Sequence, residues 1–300
     1  MNESSWMKGP PRSILLATDL SARSDRALDR AVLLAKQWRS HLTVLHVLEE
    51  QRSPLDSGDP LPSWKRPPDP SSLVRKNITD EVSEIADAAS VLIEEGSVVE
   101  TIMRVANSEA SDLIVIGVAR SELLGELMLG RTVDGLLRRS PMPVLVVKNR
   151  PRRPYRHIVV ATDFSESSRH ALVAAMRIFS EQALTIFHAY DPPMSGLMSD
   201  AASYRREYRK IAEQDCSLFL RETEKPKGAG QQPRVLIEYG APNHLLHDYV
   251  ADNAADLVVV GTHGRSAIFD IFIGSVAKRI LNDVPCDILV VREPHAKAEG

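Results

Sequence analysis

The residues with the clearest chemical potential form a glycine-rich pattern in the second half of the chain. Gly261-Thr262-His263-Gly264 is followed, after nine residues, by Gly274-Ser275. Glycine tolerates positive φ and lets a ligand approach the backbone closely. The second group opens a predicted helix over residues 276–281, and the positive end of a helix suits a phosphate. Ser275 adds a hydroxyl and Arg265 a cation, so the pattern favours an anionic ligand.

The elements that position this pattern occur twice, at an offset of 144 residues. Residues 14–21 (ILLATDLS) return as residues 158–165 (IVVATDFS). A repeat of this length is a whole domain rather than a solenoid unit of roughly 20–50 residues. We therefore divide the chain into domain 1, residues 1–149, and domain 2, residues 150–300. Where one half has a glycine and the other half does not, we expect the glycine to be needed for ligand binding rather than for folding.

Each half alternates short β-branched apolar runs with helical stretches. Within runs such as residues 257–260 (LVVV), apolar and polar residues do not alternate. This is expected for strands that are buried on both faces of a parallel sheet. The predicted strands are residues 13–17, 42–47, 90–94, 113–117 and 144–147 in domain 1, and 157–161, 184–189, 234–239, 257–261 and 288–291 in domain 2. This order predicts an α/β fold of two tandem doubly wound domains, each with a five-stranded, mainly parallel sheet flanked by helices. Gly261 then follows the carboxyl end of a strand, where ligands bind in open α/β sheets.

Composition excludes several classes of protein. The net charge of −3 argues against a broad nucleic-acid surface. No apolar run approaches the roughly 18–20 residues of a membrane span, and residues 1–11 lack the apolar core of a signal peptide. The two cysteines, Cys216 and Cys286, provide no disulfide framework and are expected to pack in the interior. Together these features predict a cytoplasmic protein that contacts neither membrane nor nucleic acid.

The two halves are joined by residues 148–156, which contain five basic residues and two prolines. We interpret them as a solvated linker rather than a nucleic-acid patch. Because the linker is short, the domains should touch. The last strand of each half should lie at a sheet edge, and an exposed apolar edge is normally covered. We predict that residues 144–147 and 288–291 pair antiparallel within one chain, as an intramolecular pseudo-dimer. A homodimer of the full chain through other surfaces stays open.

At this point the sequence resembles the universal stress protein family in a tandem two-domain form, from about Arg12 to Arg292. The shared marks are Ala-Thr-Asp-x-Ser after the first strand of each half, His46 and His188 at the ends of the second strands, and the final Pro-x-x-Val-Leu-Val-Val type strand. The nucleotide-binding branch of the family carries Gly-x2-Gly-x9-Gly-Ser/Thr, which domain 2 matches at every defined position. The resemblance implies an adenine nucleotide α-hydrolase-like fold that binds ATP or a related adenine nucleotide, with Mg²⁺ carried by the phosphates.

The same resemblance implies a set of cofactor-binding residues in domain 2. Asp163 would contact the adenine, the neighbourhood of Ala189 would lie near the adenosine, and the glycines and Ser275 would line the ribose and phosphates. The full set is Ala161, Thr162, Asp163, Ala189, Gly261, His263, Gly264, Arg265, Gly274, Ser275 and Val276. Ala189 departs from the family, in which a larger aliphatic residue such as Val47 of domain 1 is more usual. This change would loosen the nucleoside contact.

Domain 1 departs more seriously from the nucleotide pattern. Arg120 replaces the second glycine, and Arg131 stands where Ser or Thr is expected after Gly130. A side chain at position 120 would fill space that the ribose or phosphate needs, so we predict nucleotide binding chiefly in domain 2. Two arginines also favour anions, which leaves an acidic ligand open for domain 1.

The sequence offers little for catalysis. It has neither a Walker lysine motif nor a Gly-x-Ser-x-Gly elbow, so slow ATP hydrolysis is the most that we expect of a sensing or regulatory stress-response protein. His244 and His247 share a helical face and could bind a metal, but no third ligand is apparent and no metal site is predicted. The competing class is a non-nucleotide small-molecule-binding or scaffolding stress protein that acts through protein partners, none of which the sequence identifies.

Overall fold

The computed structural model describes residues 9–21, 24–48, 82–118, 130–191, 200–224, 232–264 and 273–293. The strands in these ranges are β1 Ser13–Thr18, β2 His41–Leu48, β3 Ala89–Glu95, β4 Leu113–Gly117, β5 Val144–Val147, β6 His157–Ala161, β7 Ala183–Tyr190, β8 Arg234–Tyr239, β9 Leu257–Gly261 and β10 Asp287–Val291. The α-helices are α1 Asp25–Trp38, α2 Val98–Ser108, α3 Arg131–Arg139, α4 Glu166–Ile178, α5 Ala201–Glu222, α6 Pro242–Asn253 and α7 Ser275–Asp283, and a 3₁₀ segment, Ser83–Ala88, precedes β3. All the predicted strands are confirmed, with ends that differ by one residue at most.

The strands of each domain are parallel and follow the same order. In domain 1 the order is β3-β2-β1-β4-β5, and in domain 2 it is β8-β7-β6-β9-β10. The order reverses direction between β1 and β4 and again between β6 and β9. In doubly wound sheets the crevice at this reversal point is where ligands bind. The predicted α/β class and the two tandem domains are confirmed.

The two sheets join along their last strands. β5 and β10 pair antiparallel, with Leu145 opposite Leu289 and Val146 opposite Ile288. The result is one continuous sheet of ten strands. All four side chains are buried, so the apolar edge of each domain is covered by the other domain. The predicted antiparallel pairing within one chain is confirmed.

Helices cover both faces of this sheet, and each face has its own apolar core. On β1, Ile14 and Leu16 point into the core that contains residues of α1 and α4, whereas Leu15 points into the opposite core with residues of α2, α3, α6 and α7. Each core runs through both domains. This explains the unbroken apolar runs in the sequence, because successive side chains of a strand point to opposite faces and both faces are buried.

The linker between the domains is not solvated throughout, and that expectation was wrong for two of its residues. Lys148 is 1% exposed and Tyr155 is 2% exposed. The Tyr155 hydroxyl donates to Oδ2 of Asp287 at 2.7 Å, and the Lys148 amide donates to Oδ1 of the same carboxylate at 2.9 Å. The linker therefore forms part of the contact between the domains, because its buried polar groups find partners there.

Both cysteines are buried and free of disulfides. Burial, followed by the charge of Asp287, raises the pKa of Cys286 to about 12. None of the helices among the described residues is both long enough and apolar enough to cross a bilayer.

Candidate functional site

A cavity of about 420 Å³ lies at the carboxyl ends of β6 and β9, where the strand order of domain 2 reverses. The predicted site residues that line it are Ala161, Thr162, Asp163, Ala189, Gly261, His263, Gly264, Gly274, Ser275 and Val276. The remaining predicted residue, Arg265, lies outside the described residues. Residues far apart in the sequence are therefore brought to one place by the sheet topology.

The loop after β6 presents Asp163 to the cavity. Phe164 adopts a left-handed conformation with φ of 62°, and its amide donates to Thr162 Oγ1 at 2.9 Å. The Ser165 amide donates to Asp163 Oδ1 at 3.1 Å. Ser165 then caps α4, since its side chain accepts the Ser168 amide at 3.2 Å. These short-range bonds fix the direction of the Asp163 carboxylate.

His188, one of the family marks, holds this loop in place. Its Nδ1 lies 2.8 Å from the Thr162 carbonyl oxygen. Because a carbonyl oxygen can only accept, Nδ1 carries the proton. The imidazole also stacks on the Phe164 ring at a centroid distance of 4.2 Å. His46 of domain 1 makes the same bond, 2.9 Å to the Thr18 carbonyl oxygen, so this histidine supports the loop in both domains.

The glycine loop after β9 closes against the start of α7. The Gly274 amide donates to the Thr262 carbonyl oxygen at 2.8 Å, and Thr262 Oγ1 lies 2.8 Å from His263 Nδ1. The His263 amide donates to Ser167 Oγ at 3.3 Å, which ties the loop to α4. These bonds bring the end of a strand and the beginning of a helix to the same side of the cavity.

The N-terminus of α7 opens on the cavity. Gly274 is the N-cap residue, and no side chain at this position accepts a hydrogen bond from the helix amides. The first turn contains no acidic residue. The first amides of a helix have no partner within the helix and form the positive end of its dipole. Ser275, Val276 and Ala277 of this turn all line the cavity. The arrangement is suited to an anionic group such as a phosphate.

Sequence reasoning missed the apolar wall of the cavity. The lining residues outside the predicted set are Ser168, Phe187, Pro242, Leu246, Val260, Thr262, Ala277 and Ile280. Phe187 lies two residues before Ala189 on β7 and so shares its face, a signal that was available in the sequence. Leu246 comes from α6, which no part of the glycine motif indicates. The wall can pack against a flat ring system.

The matching loop of domain 1 uses its carboxylate differently. Oδ1 of Asp19 accepts hydrogen bonds from the hydroxyls of Ser21 and Ser24, both at 2.6 Å. Partial burial raises the pKa of Asp19, but bonds from Ser21 and Ser24 outweigh it and hold the pKa below its ordinary value. In domain 2 the residue equivalent to Ser24 is Ser168, whose hydroxyl lies 2.8 Å from Thr162 Oγ1. Asp19 is therefore engaged in stabilising its own turn.

Two other sequence features remain outside this geometry. Arg120, the substitution that sets domain 1 apart, lies beyond the described residues. The described residues contain no group of three His, Cys, Asp or Glu side chains placed to hold a metal. His244 and His247 therefore gain no third ligand in this part of the chain.

The fold defines the chain as a protein of two tandem doubly wound α/β domains whose sheets join along their last strands. The model of the universal stress protein family matches residues 11–148 and again residues 154–292. The chain belongs to the universal stress protein family, with two family domains in tandem.

Individual relatives agree with this assignment. A universal stress protein of Methanocaldococcus jannaschii is 27% identical over 143 residues, 47% of this chain and 84% of that protein. YxiE, a universal stress protein of Bacillus subtilis, is 27% identical over 148 residues, 46% of this chain and 99% of that protein. Each relative thus matches about one half of the chain.

Solved structures match the whole tandem fold. A putative universal stress protein from Pseudomonas aeruginosa has a TM-score of 0.64 at 23% identity, covering 96% of this chain and 95% of that one. A universal stress protein from Archaeoglobus fulgidus has a TM-score of 0.64 at 18% identity, covering 94% of this chain and 98% of that one. At these identities the likeness concerns the fold.

Proposed function

We propose that domain 2 binds ATP or a related adenine nucleotide and that the protein uses this binding in a sensing or regulatory role. The observation that carries the proposal is the convergence on one cavity of three features: the carboxylate of Asp163, the loop from Gly261 to Gly264, and the N-terminus of α7. A cavity of about 420 Å³ has room for a nucleotide-sized ligand, since small-molecule sites span about 300–1,000 Å³.

Each part of the cavity suits one part of the nucleotide. The apolar side chains of Phe187, Leu246 and Ile280 can pack on the adenine ring, and Asp163 can accept hydrogen bonds from an amino group or a hydroxyl. The amides at the start of α7 can bind phosphate oxygens. With no three-residue metal cluster in the described ranges, Mg²⁺ would arrive bound to the phosphates.

A regulatory role is preferred to fast catalysis. The sequence contains neither a Walker lysine motif nor a Gly-x-Ser-x-Gly elbow, the two catalytic patterns that would point to rapid turnover. At most a slow hydrolysis of ATP is expected. The proposed mode of action is a change in the contacts that the protein makes with protein partners in the cytoplasm when the nucleotide binds.

The apolar wall also favours a second candidate, in which the cavity holds a non-nucleotide small molecule and the protein acts as a scaffold. The two candidates differ in what the glycines and the helix N-terminus contribute, because an uncharged apolar ligand needs neither. Mass spectrometry of the ligand released from purified, denatured protein separates them. An adenine nucleotide supports the first candidate, and an apolar molecule supports the second.

The decisive test is a calorimetric titration with Mg-ATP of the wild type and of Gly264→Arg, which imitates Arg120 of domain 1. The variant should lose most of its binding while its circular dichroism and melting temperature stay close to those of the wild type. Gly130→Arg is the matched control, because it adds the same side chain in domain 1, where a Cβ meets no described atom within 4 Å. Equal affinities in wild type and Gly264→Arg, or no binding by wild type, would overturn the proposal.

A further inference from the structure

Lys148 belongs to domain 1, yet its side chain ends inside domain 2. Its Nζ donates to the carbonyl oxygen of Leu281 at 2.6 Å and to that of Val284 at 2.5 Å. Leu281 lies in the last turn of α7, and Val284 is the residue that follows the helix. Both residues are fully buried. An ammonium group from the neighbouring domain therefore caps the C-terminus of α7.

The other end of the same helix forms one wall of the candidate site. Ser275, Val276, Ala277 and Ile280 of α7 line the cavity. The helix has nine residues and is therefore only about 14 Å long, at 1.5 Å per residue. A single short helix thus connects the ligand site with a buried cation of domain 1. A shift at either end is passed to the other, because a packed helix moves as a rigid unit.

The Lys148 ammonium provides hydrogen-bond donors for buried carbonyl groups at the C-terminus of α7. The last carbonyl groups of a helix lack partners within the helix, and when they are buried they require a donor. A cation at this end also interacts favourably with the helix dipole. Removing the ammonium would leave buried carbonyl oxygens without their donor, so α7 would be held less firmly against the sheet.

Domain 2 makes the equivalent contact with a helix of domain 1, and this second cap can be compared with the cap from Lys148. Arg292, which the 144-residue offset pairs with Lys148, donates from domain 2 to the carbonyl oxygen of Arg138 in the last turn of α3. Each domain therefore caps the equivalent helix of the other. Only α7 follows the intact glycine motif, so only the cap from Lys148 bears on the candidate site.

We infer that Lys148 is a positioning residue for the ligand site of domain 2: it places α7 from the outside and couples nucleotide binding to the contact between the domains. The inference rests on the proposed function. A second contact along α7, between Lys278 Nζ and Asp134 Oδ1 at 3.5 Å, involves side chains that are 41% and 34% exposed. Exposed pairs of this kind contribute little, so the buried cap carries the coupling.

The first experiment compares Lys148→Met with Arg292→Met in the full chain, using calorimetric titration with Mg-ATP. Both variants lose one cap and should lose similar amounts of stability. Lys148→Met should weaken ATP binding by at least about fivefold, the lower end of ordinary coupling between sites, whereas Arg292→Met should change it less than about twofold. Equal effects of the two variants on affinity would overturn the inference. If Lys148→Met does not fold, Lys148→Gln replaces it, and Lys148→Arg should restore wild-type affinity.

The second experiment does not depend on a nucleotide, so the inference and the proposed function can fail separately. Hydrogen exchange is measured on the ligand-free full chain for the segments that contain α7 and α3. Lys148→Met should accelerate exchange in α7 more than in α3, and Arg292→Met should show the reverse. Unchanged exchange in α7 of Lys148→Met overturns the inference even if the wild type binds ATP. Faster exchange with no ATP binding supports the positioning role and rejects the nucleotide.

Discussion

Gly264 lies so close to Asp163 that a Cβ on Gly264 would come within 2.6 Å of the Asp163 Oδ2 atom. Gly261, three residues earlier, faces something different: a Cβ there would meet the backbone carbonyl carbon and oxygen of Ser167 at 2.8 Å. Two glycines of one motif therefore have separate tasks. Gly264 leaves space for the Asp163 carboxylate, which lines the cavity, and Gly261 leaves space for the packing of α4 on the sheet.

Gly264→Ala should weaken nucleotide binding with little loss of stability. A short carboxylate can turn away from the new methyl group, so the fold survives, but Asp163 leaves the direction that its loop has set. We expect the affinity for Mg-ATP to fall by at least about tenfold, a loss of about 1.4 kcal/mol. Titration calorimetry measures it, with Gly130→Ala of domain 1 as the control. Equal losses in both variants would count against a specific role for Gly264.

Gly261→Ala should damage the fold itself. The backbone of Ser167 cannot rotate away as a side chain can, so β9 and α4 must separate slightly. Overpacking of this kind costs about 1–3 kcal/mol. Urea unfolding should show a clearly larger loss for Gly261→Ala than for Gly264→Ala. The assignment of tasks is wrong if the order of the two losses is reversed.

Arg30→Met should destabilise the contact between the domains. Arg30 Nε lies 3.3 Å from Asp287 Oδ2, and the two side chains are 6% and 1% exposed. Breaking a buried pair leaves an uncompensated charge, and the Tyr155 hydroxyl and linker amides on Asp287 offset only part of this. We expect a loss of about 3 kcal/mol in the free energy of unfolding.

The chain contains a matched control for this prediction. Arg150 and Asp29 also pair across the domains, at 2.8 Å, but their side chains are 78% and 39% exposed. Arg150→Met should therefore cost less than about 1 kcal/mol. Urea unfolding of both variants decides the matter, and similar losses would show that burial does not govern these pairs.

The stability should fall at alkaline pH. Burial and then the charge of Asp287 raise the pKa of Tyr155 well above its ordinary value and raise that of Cys286 to about 12. In the unfolded chain these groups lose their protons at about pH 10 and about pH 8.5, respectively. The unfolded state thus loses protons first, and the free energy of unfolding falls as the pH rises above about 8.5. Urea unfolding at a series of pH values measures this dependence. Above about pH 10, Tyr155→Phe should reduce the slope of the free energy of unfolding against pH. An unchanged slope would show that Tyr155 does not cause the loss of stability.

Residues 151–300 alone should form a homodimer or aggregate. Without β5, the edge of β10 becomes an exposed apolar template for pairing. A homodimer would also place Ala174, the residue that the repeat aligns with Arg30, near the buried Asp287, so its interface would be weaker than the native one. Light scattering on the isolated fragment tests this, and a well-folded monomer at high concentration would refute it.

The sequence by itself determined the architecture and much of the candidate site. Strand ends could be predicted to within one residue because buried parallel strands are unbroken apolar runs, and the duplication provides two readings of each. The pairing of β5 with β10 followed from the need to cover two apolar edges. Asp163 and Gly274 both line the cavity, as predicted. Gly274 was predicted from a local feature, the glycine motif at a helix N-terminus, whereas Asp163 was assigned through the family resemblance.

Only the tertiary structure decided what the long side chains do. Composition suggested a solvated linker, yet Lys148 and Tyr155 are buried. This burial could not be predicted from the sequence, because their partners Leu281 and Asp287 lie more than 130 residues away along the chain. The wall residue Leu246 could not be found either, since no local pattern says which side of α6 faces the glycine loop. Spacing along the chain determines which elements form. Which side chains bind each other across the domain contact depends on how those elements pack, and the packing is a property of the whole fold.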